Sequence, residues 1–483
     1  AMNENVGIDA INFSLPRLSL PIEDLAEARG LEVEKLKFGL GLKSMSVCDL
    51  DEDVVTLAAD AIWKLIEREG LNPKEIGRIY LGTESSVDAA KPTSTYVLDL
   101  LERKLKVNYG PRSLSHCDVV DMTFACVGAV DALQNSLDWV SIKKDRKAIV
   151  VASDVAKYSP TSSGEYTQGA GAVSMLLTKN PRILALDSDF AISIQSTGDF
   201  FKPRRSFKKL ELLQEASNLL GLEKLTDEVV KRLESKSDGF WGTPENIIDQ
   251  FLEFPIYDGP FSNECYVSRV REALIRYENK RSQNVLDDWD GMIFHLPYAF
   301  QGRRMWPEIS LDLYRKAGRL SEIEKAIGEK ETEVSDKRQF IRLWSKSELF
   351  KKIIKEKIAP GEQASQRIGN MYTASIFMSF LSKISLSLEE GKNFKNKRIG
   401  FLSYGSGSKS KVFSGTIQNM FENQIHGINL FDSLDSTKKI DFKTYEDLHQ
   451  RKLESPISKT SGFSLKKIGE KDLETGYRFY DIK

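Results

Sequence analysis

The sequence predicts an α/β protein built from two related halves, the first at about 1–180 and the second at about 181–483. Two observations carry this prediction. Short apolar runs alternate with longer amphipathic runs, which is the pattern of strands buried on both faces between helices. The alternation then starts again later in the chain, with strands that again end in small or polar residues. This repetition indicates an internal duplication.

Strands and helices alternate in the predicted first half. The strands lie in VGIDAINFSL, IGRIYLGTE, CDVVDMTFA, KAIVVASD and QGAGAVSMLLT, and the helices lie near 51–70, 92–106 and 127–141. The apolar runs predict that both faces of the sheet are covered. The glycines of QGAGAVSMLLT permit another backbone to approach that strand closely.

The second half repeats this rhythm and adds two helical insertions. Its elements are predicted in WDGMIFHLPYAF, in a helix through GNMYTASIFMSFLSKI, and in KRIGFLSYGSGSKSKVFSGTI. The charge-rich stretches at about 206–253 and 309–360 are predicted to be solvated helices on the surface, although the first could instead cap a ligand entrance. The polar tail, 428–483, is expected to pack as strands and helices on the second half.

The composition excludes several classes of function. The chain has 483 residues, 41% of them hydrophobic and 29% charged, which is typical of a globular enzyme with two domains or one large duplicated domain. Its 69 basic and 70 acidic residues leave a net charge of −1, so binding to nucleic acid or to an anionic membrane is not expected. An anionic ligand must therefore meet a local basic patch. No apolar run approaches the ~18 residues of a membrane span.

The cysteine and histidine patterns favour neither a disulfide framework nor a metal site. The four cysteines include no CxxC pair, and the four histidines show no ligand spacing. Widely spaced thiols are typical of a reducing compartment, and the first residues show no charged-then-apolar leader. We therefore expect a cytoplasmic protein without a metal.

Three residues with reactive side chains lie at the ends of predicted strands. Glu84 follows IYLGT, Cys126 lies at a strand-to-helix turn in FACVGA, and His295 ends the strand MIF. Ligands of open α/β sheets bind outside the carboxyl ends of strands, so the three residues point to one crevice. Each also has a simpler interpretation. Glu84 could be a helix-capping carboxylate, Cys126 a buried core thiol and His295 a satisfied polar group. Their shared position favours a site, in which the helix after Cys126 is expected to lower the pKa of the thiol.

An ordered series of motifs runs from residue 6 to about residue 415. The motifs are GTES around Glu84, DMTFACVGAVDAL around Cys126, ASDVAKY followed by GEYTQGAGAVSMLL, TGDFFKP, YDGPFSNECY, FHLPY around His295, RIGNMYTASI and RIGFLSYGSGS. Together they resemble the 3-hydroxy-3-methylglutaryl-CoA synthases of the thiolase superfamily. The resemblance implies a thiolase-like five-layer α/β/α/β/α fold, a homodimer, acetyl-CoA and acetoacetyl-CoA as substrates, no cofactor, and a place in the mevalonate route to isoprenoids.

The resemblance also implies a role for each site residue. Cys126 would take the acetyl group of acetyl-CoA, Glu84 would remove a methyl proton and later act as an acid, and His295 would orient acetoacetyl-CoA. The N–H of Cys126 and one from the turn at Ser403 would form an oxyanion hole. Further substrate-binding or orienting residues are expected at Asn370, Ser403, Asp154, Thr167, Asp199, Lys202, Arg204, Arg303 and Arg304. Among these, the four cations are candidates for the phosphates of CoA.

Two other condensing activities stay open. Ketoacyl synthase III-type enzymes also use Cys, His and Asn in this order, but they form their carbanion by decarboxylation and need no base such as Glu84. Two departures from the family pattern are Val127, where an aromatic residue often follows the cysteine, and Phe300, where a lysine is common. Val127 changes the wall of the acyl pocket, and Phe300 would suit the surface of a polyketide β-branching synthase that takes acetoacetyl from an acyl carrier protein. A non-catalytic scaffold is disfavoured because the three reactive residues are all present. We favour the CoA-linked synthase.

Overall fold

The computed structural model describes residues 5–483 except residues 223, 238–240, 242–244 and 461. Its strands are β1 (Val6–Ser14), β2 (Leu18–Pro21), β3 (Ser44–Val47), β4 (Ile76–Gly82), β5 (Asp118–Met122), β6 (Lys147–Val155), β7 (Ala170–Lys179), β8 (Leu184–Leu186), β9 (Ala191–Ile194), β10 (Phe200–Phe201), β11 (Arg204–Phe207), β12 (Ile248–Phe251), β13 (Ile256–Tyr257), β14 (Gly291–Phe294), β15 (Arg398–Leu402), β16 (Lys409–Ile417), β17 (Lys438–Lys439), β18 (Phe463–Ile468) and β19 (Arg478–Ile482). Its α-helices are α1 (Ile22–Arg29), α2 (Val54–Glu69), α3 (Thr93–Tyr109), α4 (Gly128–Ile142), α5 (Lys209–Leu219), α6 (Asp227–Glu234), α7 (Gly259–Asn279), α8 (Val285–Asp288), α9 (Gln301–Lys316), α10 (Leu320–Ile327), α11 (Lys337–Lys346), α12 (Glu348–Ile353), α13 (Ala359–Ile368), α14 (Ser375–Glu389), α15 (Phe421–Ile425), α16 (Leu430–Asp435) and α17 (Phe442–His449).

A mixed sheet, ten-stranded over the described residues, runs through both halves. The first half contributes strands in the order β5-β4-β6-β7-β1, and the second half contributes strands in the order β14-β15-β16-β8. Strand β9 also pairs with β16. The two halves of the sheet join where β8 pairs with β1. The segments β4-β6-β7-β1 and β14-β15-β16-β8 share one pattern of parallel, antiparallel and antiparallel pairing. This repeated topology is the structural form of the internal duplication that the sequence predicts.

Helices form three layers that alternate with the strands of the two halves. The apolar residues of α4 and α14 share one core with residues of both halves, such as Val150 of β6 and Phe401 of β15. The helices α2 and α3 cover the outer face of the first half, and α7 and α9 cover the outer face of the second half. The chain thus has the predicted order of five layers.

The central strands are buried on both faces, which explains their unbroken apolar runs. In β6, Ala148 and Val150 pack towards α4, whereas Ile149 and Val151 pack towards α2 and α3. Side chains alternate along a strand, so a strand between two helix layers needs an apolar residue at every position. This arrangement is what the sequence pattern predicts.

The second predicted insertion, 309–360, differs from the prediction of solvated surface helices. Phe340 and Trp344 of α11 and Phe350 of α12 are buried in the core of the second half. The indole N–H of Trp344 donates to Oγ of Ser310 in α9 at 3.0 Å. Because the charged residues cover only the outer faces of these helices, the prediction was wrong for the inner faces.

The tail packs mainly on the first half rather than on the second, which corrects the prediction for 428–483. Strand β17 pairs with β2, and β18 and β19 contact α2 and α3. The guanidinium of Arg478 donates at 2.7 Å to Asp53, whose side chain also caps the N-terminus of α2. Helix α16 does contact α13 and α14 of the second half. The tail therefore ties both halves together.

The first insertion, 206–253, is described only in part. Helices α5 and α6 and the ribbon of β11 with β12 carry mostly exposed side chains, whereas residues 223, 238–240 and 242–244 lie outside the described residues. None of the described helices is long and apolar enough to cross a bilayer.

Candidate active site

The duplicated topology places the reactive residues at matching points of the two halves. Glu84 lies two residues after β4, and His295 directly follows β14, the corresponding strand of the second half. Cys126 precedes the central helix α4, and Asn370 precedes the central helix α14. Strand ends and helix starts of both halves therefore supply the four side chains.

The thiol of Cys126 and the carboxylate of Glu84 are in direct contact. The thiol donates to Oε1 of Glu84, with 2.8 Å between the sulfur and the oxygen. Gly82 allows this approach, because a β-carbon there would lie 2.2 Å from Cα of Ala129 in α4. Ala125 has a φ of +40°, in the left-handed region where a residue other than glycine is strained. The turn before the thiol is therefore a strained one.

Burial changes the proton affinities of both groups. It raises the pKa of Glu84 to about 7, with the charge of Lys202 opposing this rise and that of Asp154 adding to it. Burial and the negative charge of Glu84 raise the pKa of Cys126 well above its ordinary value. The prediction that the following helix lowers the pKa of the thiol is therefore wrong, because desolvation and the nearby carboxylate outweigh the helix terminus. A thiolate at Cys126 requires a proton acceptor, and Glu84 is in place to be one.

Lys202 lies beside the carboxylate of Glu84. Its Nζ lies 3.6 Å from Oε2 of Glu84 and 4.6 Å from the ring centre of Tyr372. The position follows from the pairing of β10 with β13, which holds the preceding Phe200 against Tyr257. The cation favours the charged form of Glu84 and so limits the rise of its pKa.

Asp154 fixes the backbone around Glu84. Its Oδ1 accepts from the Thr83 hydroxyl at 2.7 Å and from the Glu84 N–H at 2.9 Å. Its Oδ2 accepts from the Thr373 hydroxyl at 2.5 Å and from the Thr373 N–H at 3.0 Å. Burial nevertheless raises the pKa of Asp154. This carboxylate joins the ends of β4 and β6 to the start of the central helix of the second half.

His295 is buried and neutral. Burial lowers the pKa of its imidazole to about 3. The Tyr266 ring stacks beside the imidazole with 6.0 Å between ring centres, and the Tyr266 hydroxyl donates to the His295 carbonyl oxygen at 2.6 Å. In the part of the chain that the structure describes, Nδ1 of His295 has no hydrogen-bond partner. This nitrogen is therefore a buried polar atom whose hydrogen-bonding capacity is unused.

The comparisons with known proteins agree with this geometry. The family model described as hydroxymethylglutaryl-coenzyme A synthase N terminal matches residues 2–181, and the C-terminal model of the same family matches residues 248–470. The chain belongs to the hydroxymethylglutaryl-CoA synthase family. This membership confirms the predicted resemblance, the thiolase-like fold and the class of acyl-CoA condensing acyltransferases.

Relatives of the hydroxymethylglutaryl-CoA synthase family match over almost their whole length. The chain is 28% identical to hydroxymethylglutaryl-CoA synthase of Haloferax volcanii, covering 92% of this chain and 91% of that one. It is 28% identical to the synthase of Enterococcus faecalis, covering 95% and 96%. A solved structure of MvaS in complex with 3-hydroxy-3-methylglutaryl coenzyme A superposes with a TM-score of 0.74 at 26% identity and covers both chains fully.

The hydroxymethylglutaryl-CoA synthase motif around Ser403 lies close to Cys126. Gly405 packs on the turn that carries Cys126, since a β-carbon on Gly405 would lie 2.6 Å from the Phe124 carbonyl oxygen. The Ser403 hydroxyl donates to the Lys411 carbonyl oxygen at 2.7 Å, and the Ser403 N–H donates to the same oxygen at 3.1 Å. Both donors of Ser403 are thus used by Lys411 of strand β16, and the part of Ser403 in substrate binding stays a prediction.

Asn370, Thr167 and Asp199 are fixed by hydrogen bonds. The Asn370 N–H donates to the Thr167 carbonyl oxygen at 2.7 Å, and its Oδ1 accepts from the Tyr372 N–H at 2.8 Å. Asp199 accepts a hydrogen bond from the Tyr404 hydroxyl at 2.7 Å and further bonds from other donors. Burial alone would raise the pKa of Asp199, but these hydrogen bonds outweigh burial and hold the pKa below its ordinary value. Asp199 therefore anchors the Ser403 turn.

The remaining predicted cations lie on the outside of the synthase. Arg204 is exposed on β11 and lies over the Phe251 ring. Arg303 forms a two-pronged ion pair with the buried Glu362, so its charge is already compensated. Arg304 is exposed and lines two cavities. Of the four predicted cations, Lys202 is the one within 4 Å of Glu84.

Two further features of the synthase site were missed by the sequence analysis. Aromatic rings of Tyr158, Phe200, Tyr257 and Tyr372 pack with Cys126. They lie in the quoted motifs ASDVAKY, TGDFFKP, YDGPF and RIGNMYTASI, so the signal was present. The second feature is a polar network in which Tyr445 of the tail bridges Gln168 and Glu165 and Arg29 pairs with Glu165. Its members are too far apart in the chain for any local pattern.

The two departures from the family pattern are both packing positions. Val127 is fully buried in the central core. The Phe300 ring lies under the Arg303 guanidinium, with 3.8 Å to the ring centre, and fills the space that a β-carbon on Gly41 would need. Among the described residues, no group of three or more His, Cys, Asp or Glu side chains has a metal-binding arrangement.

Proposed function

We propose that this chain condenses acetyl-CoA with acetoacetyl-CoA and water to give 3-hydroxy-3-methylglutaryl-CoA and CoA, through an acetyl-Cys126 intermediate. The observation that carries the proposal is the contact between Cys126 and Glu84, 2.8 Å apart, with the pKa of Glu84 raised to about 7. Condensation of an acetyl group that carries no extra carboxylate requires a base for the methyl proton, and a base with a pKa near the working pH is the most effective. Decarboxylative condensation has no use for such a base.

In the first step Cys126 becomes acetylated. The thiol proton passes to Glu84, and the thiolate attacks the carbonyl carbon of acetyl-CoA. The tetrahedral intermediate collapses, the C–S bond to CoA breaks, and the departing CoA sulfur takes the proton from Glu84. Glu84 is then again a carboxylate, and Cys126 carries a thioester.

In the second step Glu84 removes a proton from the acetyl methyl group. The enolate attacks the ketone carbon of acetoacetyl-CoA, a C–C bond forms, and the new alkoxide takes the proton from Glu84. The neutral imidazole of His295 orients the ketone, supported by its free Nδ1. Water then hydrolyses the thioester at Cys126, releasing the product and restoring the thiol.

We propose supporting roles for the residues around this pair. Lys202, 3.6 Å from Glu84, keeps enough of the carboxylate ionised to act as a base. Asp154 holds the Glu84 backbone, and Asn370 helps to shape the substrate pocket. The two halves, 1–180 and 181–483, thus contribute the Cys126–Glu84 pair and the ketone-binding groups respectively.

We further propose a cytoplasmic homodimer that needs no cofactor and supplies the mevalonate route. The four cysteines are free thiols, which suits a reducing compartment, and every step above uses only side chains, CoA thioesters and water. The dimer is an expectation from the family resemblance.

A second candidate function is condensation on an acyl carrier protein instead of CoA. Phe300, packed under Arg303, stands where a lysine is common in CoA-linked members. The test is to supply acetyl-CoA together with either acetoacetyl-CoA or an acetoacetyl carrier protein and to identify the product by mass spectrometry. Hydroxymethylglutaryl-CoA from acetoacetyl-CoA supports the proposal; product only on the carrier protein would overturn it in favour of the second candidate.

A further inference from the structure

A strongly basic cavity lies outside the site described above. It has a volume of about 710 Å³ and is lined by residues of α9, α11 and α12, of the π-helical segment Ile354–Ile358 and of the start of α13. Six of its lining side chains are cationic and none is acidic: Arg303, Arg304, Arg338, Arg342, Lys351 and Lys355. In a chain whose net charge is −1, this is a marked local concentration of one sign of charge, which attracts anions.

Most of these cations have no carboxylate partner. Among the described residues, no Asp or Glu oxygen lies within 4.0 Å of the charged nitrogens of Arg304, Arg338, Arg342 or Lys355. Arg303 is compensated by Glu362, and Lys351 lies 3.4 Å from the exposed Glu348, a surface pair of little strength. The cavity therefore keeps several uncompensated positive charges.

The helices that carry these cations are packed on the buried core beneath them. Arg338 and Arg342 stand one turn apart on α11, as Lys351 and Lys355 do on the next segment, so each pair presents two charges to one side. The buried Trp344 fixes α11 on α9 through its bond to Ser310. Guanidinium groups on such a rigid frame match phosphate oxygens in two-pronged hydrogen bonds.

The cavity also has an apolar floor. Pro307, Phe350 and Ile354 are buried, and Ile341 lies beside them. A ligand that uses both surfaces carries several phosphate charges and an apolar or planar group. A second cavity, about 580 Å³ in volume, shares Arg304 as a wall and reaches Tyr166, the residue before Thr167.

We propose that this basic cavity is a binding site for a nucleoside polyphosphate, with the phosphates on Arg338, Arg342 and Lys355 and the base on the apolar floor. This ligand chemistry has two sources, the nucleotide end of CoA or a free nucleotide. The binding site itself does not depend on the proposed reaction, whereas assigning it to CoA does rest on the proposed function.

Binding of adenosine 3′,5′-bisphosphate, ATP and inorganic pyrophosphate to the full chain is measured by isothermal titration calorimetry. The test variant is Arg338→Gln with Arg342→Gln, and the matched control is Lys337→Gln with Lys346→Gln, which removes the same charge from exposed positions of the same helix outside the cavity. We expect the test variant to bind nucleotide at least about tenfold more weakly than wild type, since charge-assisted hydrogen bonds are lost, and the control to bind as wild type does. Pyrophosphate should bind more weakly than either nucleotide, because it lacks a group for the apolar floor.

Steady-state kinetics separate the two sources. If the KM for acetyl-CoA or acetoacetyl-CoA rises in the test variant at unchanged kcat, the site holds the nucleotide end of CoA. If nucleotide affinity falls while both KM values stay as in wild type, the site serves a free nucleotide. Failure of all three probes to bind wild type, or equal weakening in the test and control variants, would overturn the proposal. If wild type has no synthase activity but the test variant still binds nucleotide more weakly than the control variant, the proposed function is contradicted and the binding site is not.

Discussion

The substitution Glu84→Gln tests the electrostatic coupling between Glu84 and Cys126. Two unit charges separated by the observed 2.8 Å repel each other by about 6 kcal/mol at an effective dielectric constant of about 20, equivalent to about 4 pKa units. The cation of Lys202 offsets part of this repulsion. We therefore expect Glu84→Gln to lower the pKa of the Cys126 thiol, while the glutamine oxygen still accepts the thiol hydrogen bond.

The thiol pKa is read from the rate of alkylation by iodoacetamide as a function of pH, with the modified residue identified by peptide mass spectrometry. Cys126→Ala gives the background alkylation of Cys48, Cys117 and Cys265. The midpoint for Cys126 should move to lower pH in Glu84→Gln. An unchanged midpoint, or one at higher pH, would refute the reasoning that the carboxylate suppresses the thiolate.

Three further predictions concern the same cluster of charges. Lys202→Gln removes the cation that opposes the raised pKa of Glu84, so the pKa of Glu84 should rise above about 7. The increase of kcat/KM with pH should therefore shift to higher pH. The exposed control Arg204→Gln should leave this pH profile unchanged. Asp154→Asn leaves donors of Thr83 or Thr373 without an acceptor and should lower the free energy of unfolding by about 1–3 kcal/mol in urea titrations; an unchanged value would contradict the structural role of Asp154. The pKa of Glu84 is raised from 4.5 in the unfolded chain to about 7 in the fold. Protonated Glu84 therefore stabilises the fold by about 3 kcal/mol below pH 4.5, and this contribution is lost as the pH rises through 7. Glu84→Gln should lose less stability than wild type between about pH 5 and pH 8, and equal losses would speak against the raised pKa.

The sequence predicts the central sheet well because burial on both faces leaves a clear local pattern. Strands such as Lys147–Val155 are apolar at consecutive positions, and the small or polar residues that end them mark the edge where ligands bind. Glu84, Cys126 and His295 could be placed at that edge by this rule. The direct contact of Glu84 with Cys126 could not, because it depends on how closely Gly82 lets α4 approach.

The errors have a common physical origin in partners that lie far away in the chain. The pKa of Cys126 depends on its burial and on Glu84, 42 positions earlier, rather than on the helix that follows it. The charge of Arg303 is compensated by Glu362, 59 positions later. Lys202 is aimed at Glu84 because β10, the strand directly before it, pairs with β13. A local pattern of charges does not encode such pairings.

Intact-protein mass, measured after acetyl-CoA and again after acetoacetyl-CoA, tests the central claim most directly. The account predicts one added acetyl group on wild type, the same group formed more slowly on Glu84→Gln, which lacks the proton acceptor of the thiol, and none on Cys126→Ala. It also predicts that acetoacetyl-CoA clears the group rapidly from wild type only. Loss of general base catalysis should slow the clearance by a factor of about 10²–10⁴ in Glu84→Gln. Clearance from Glu84→Gln at the wild-type rate, or acetylation that persists in Cys126→Ala, would contradict the assignment of nucleophile and base.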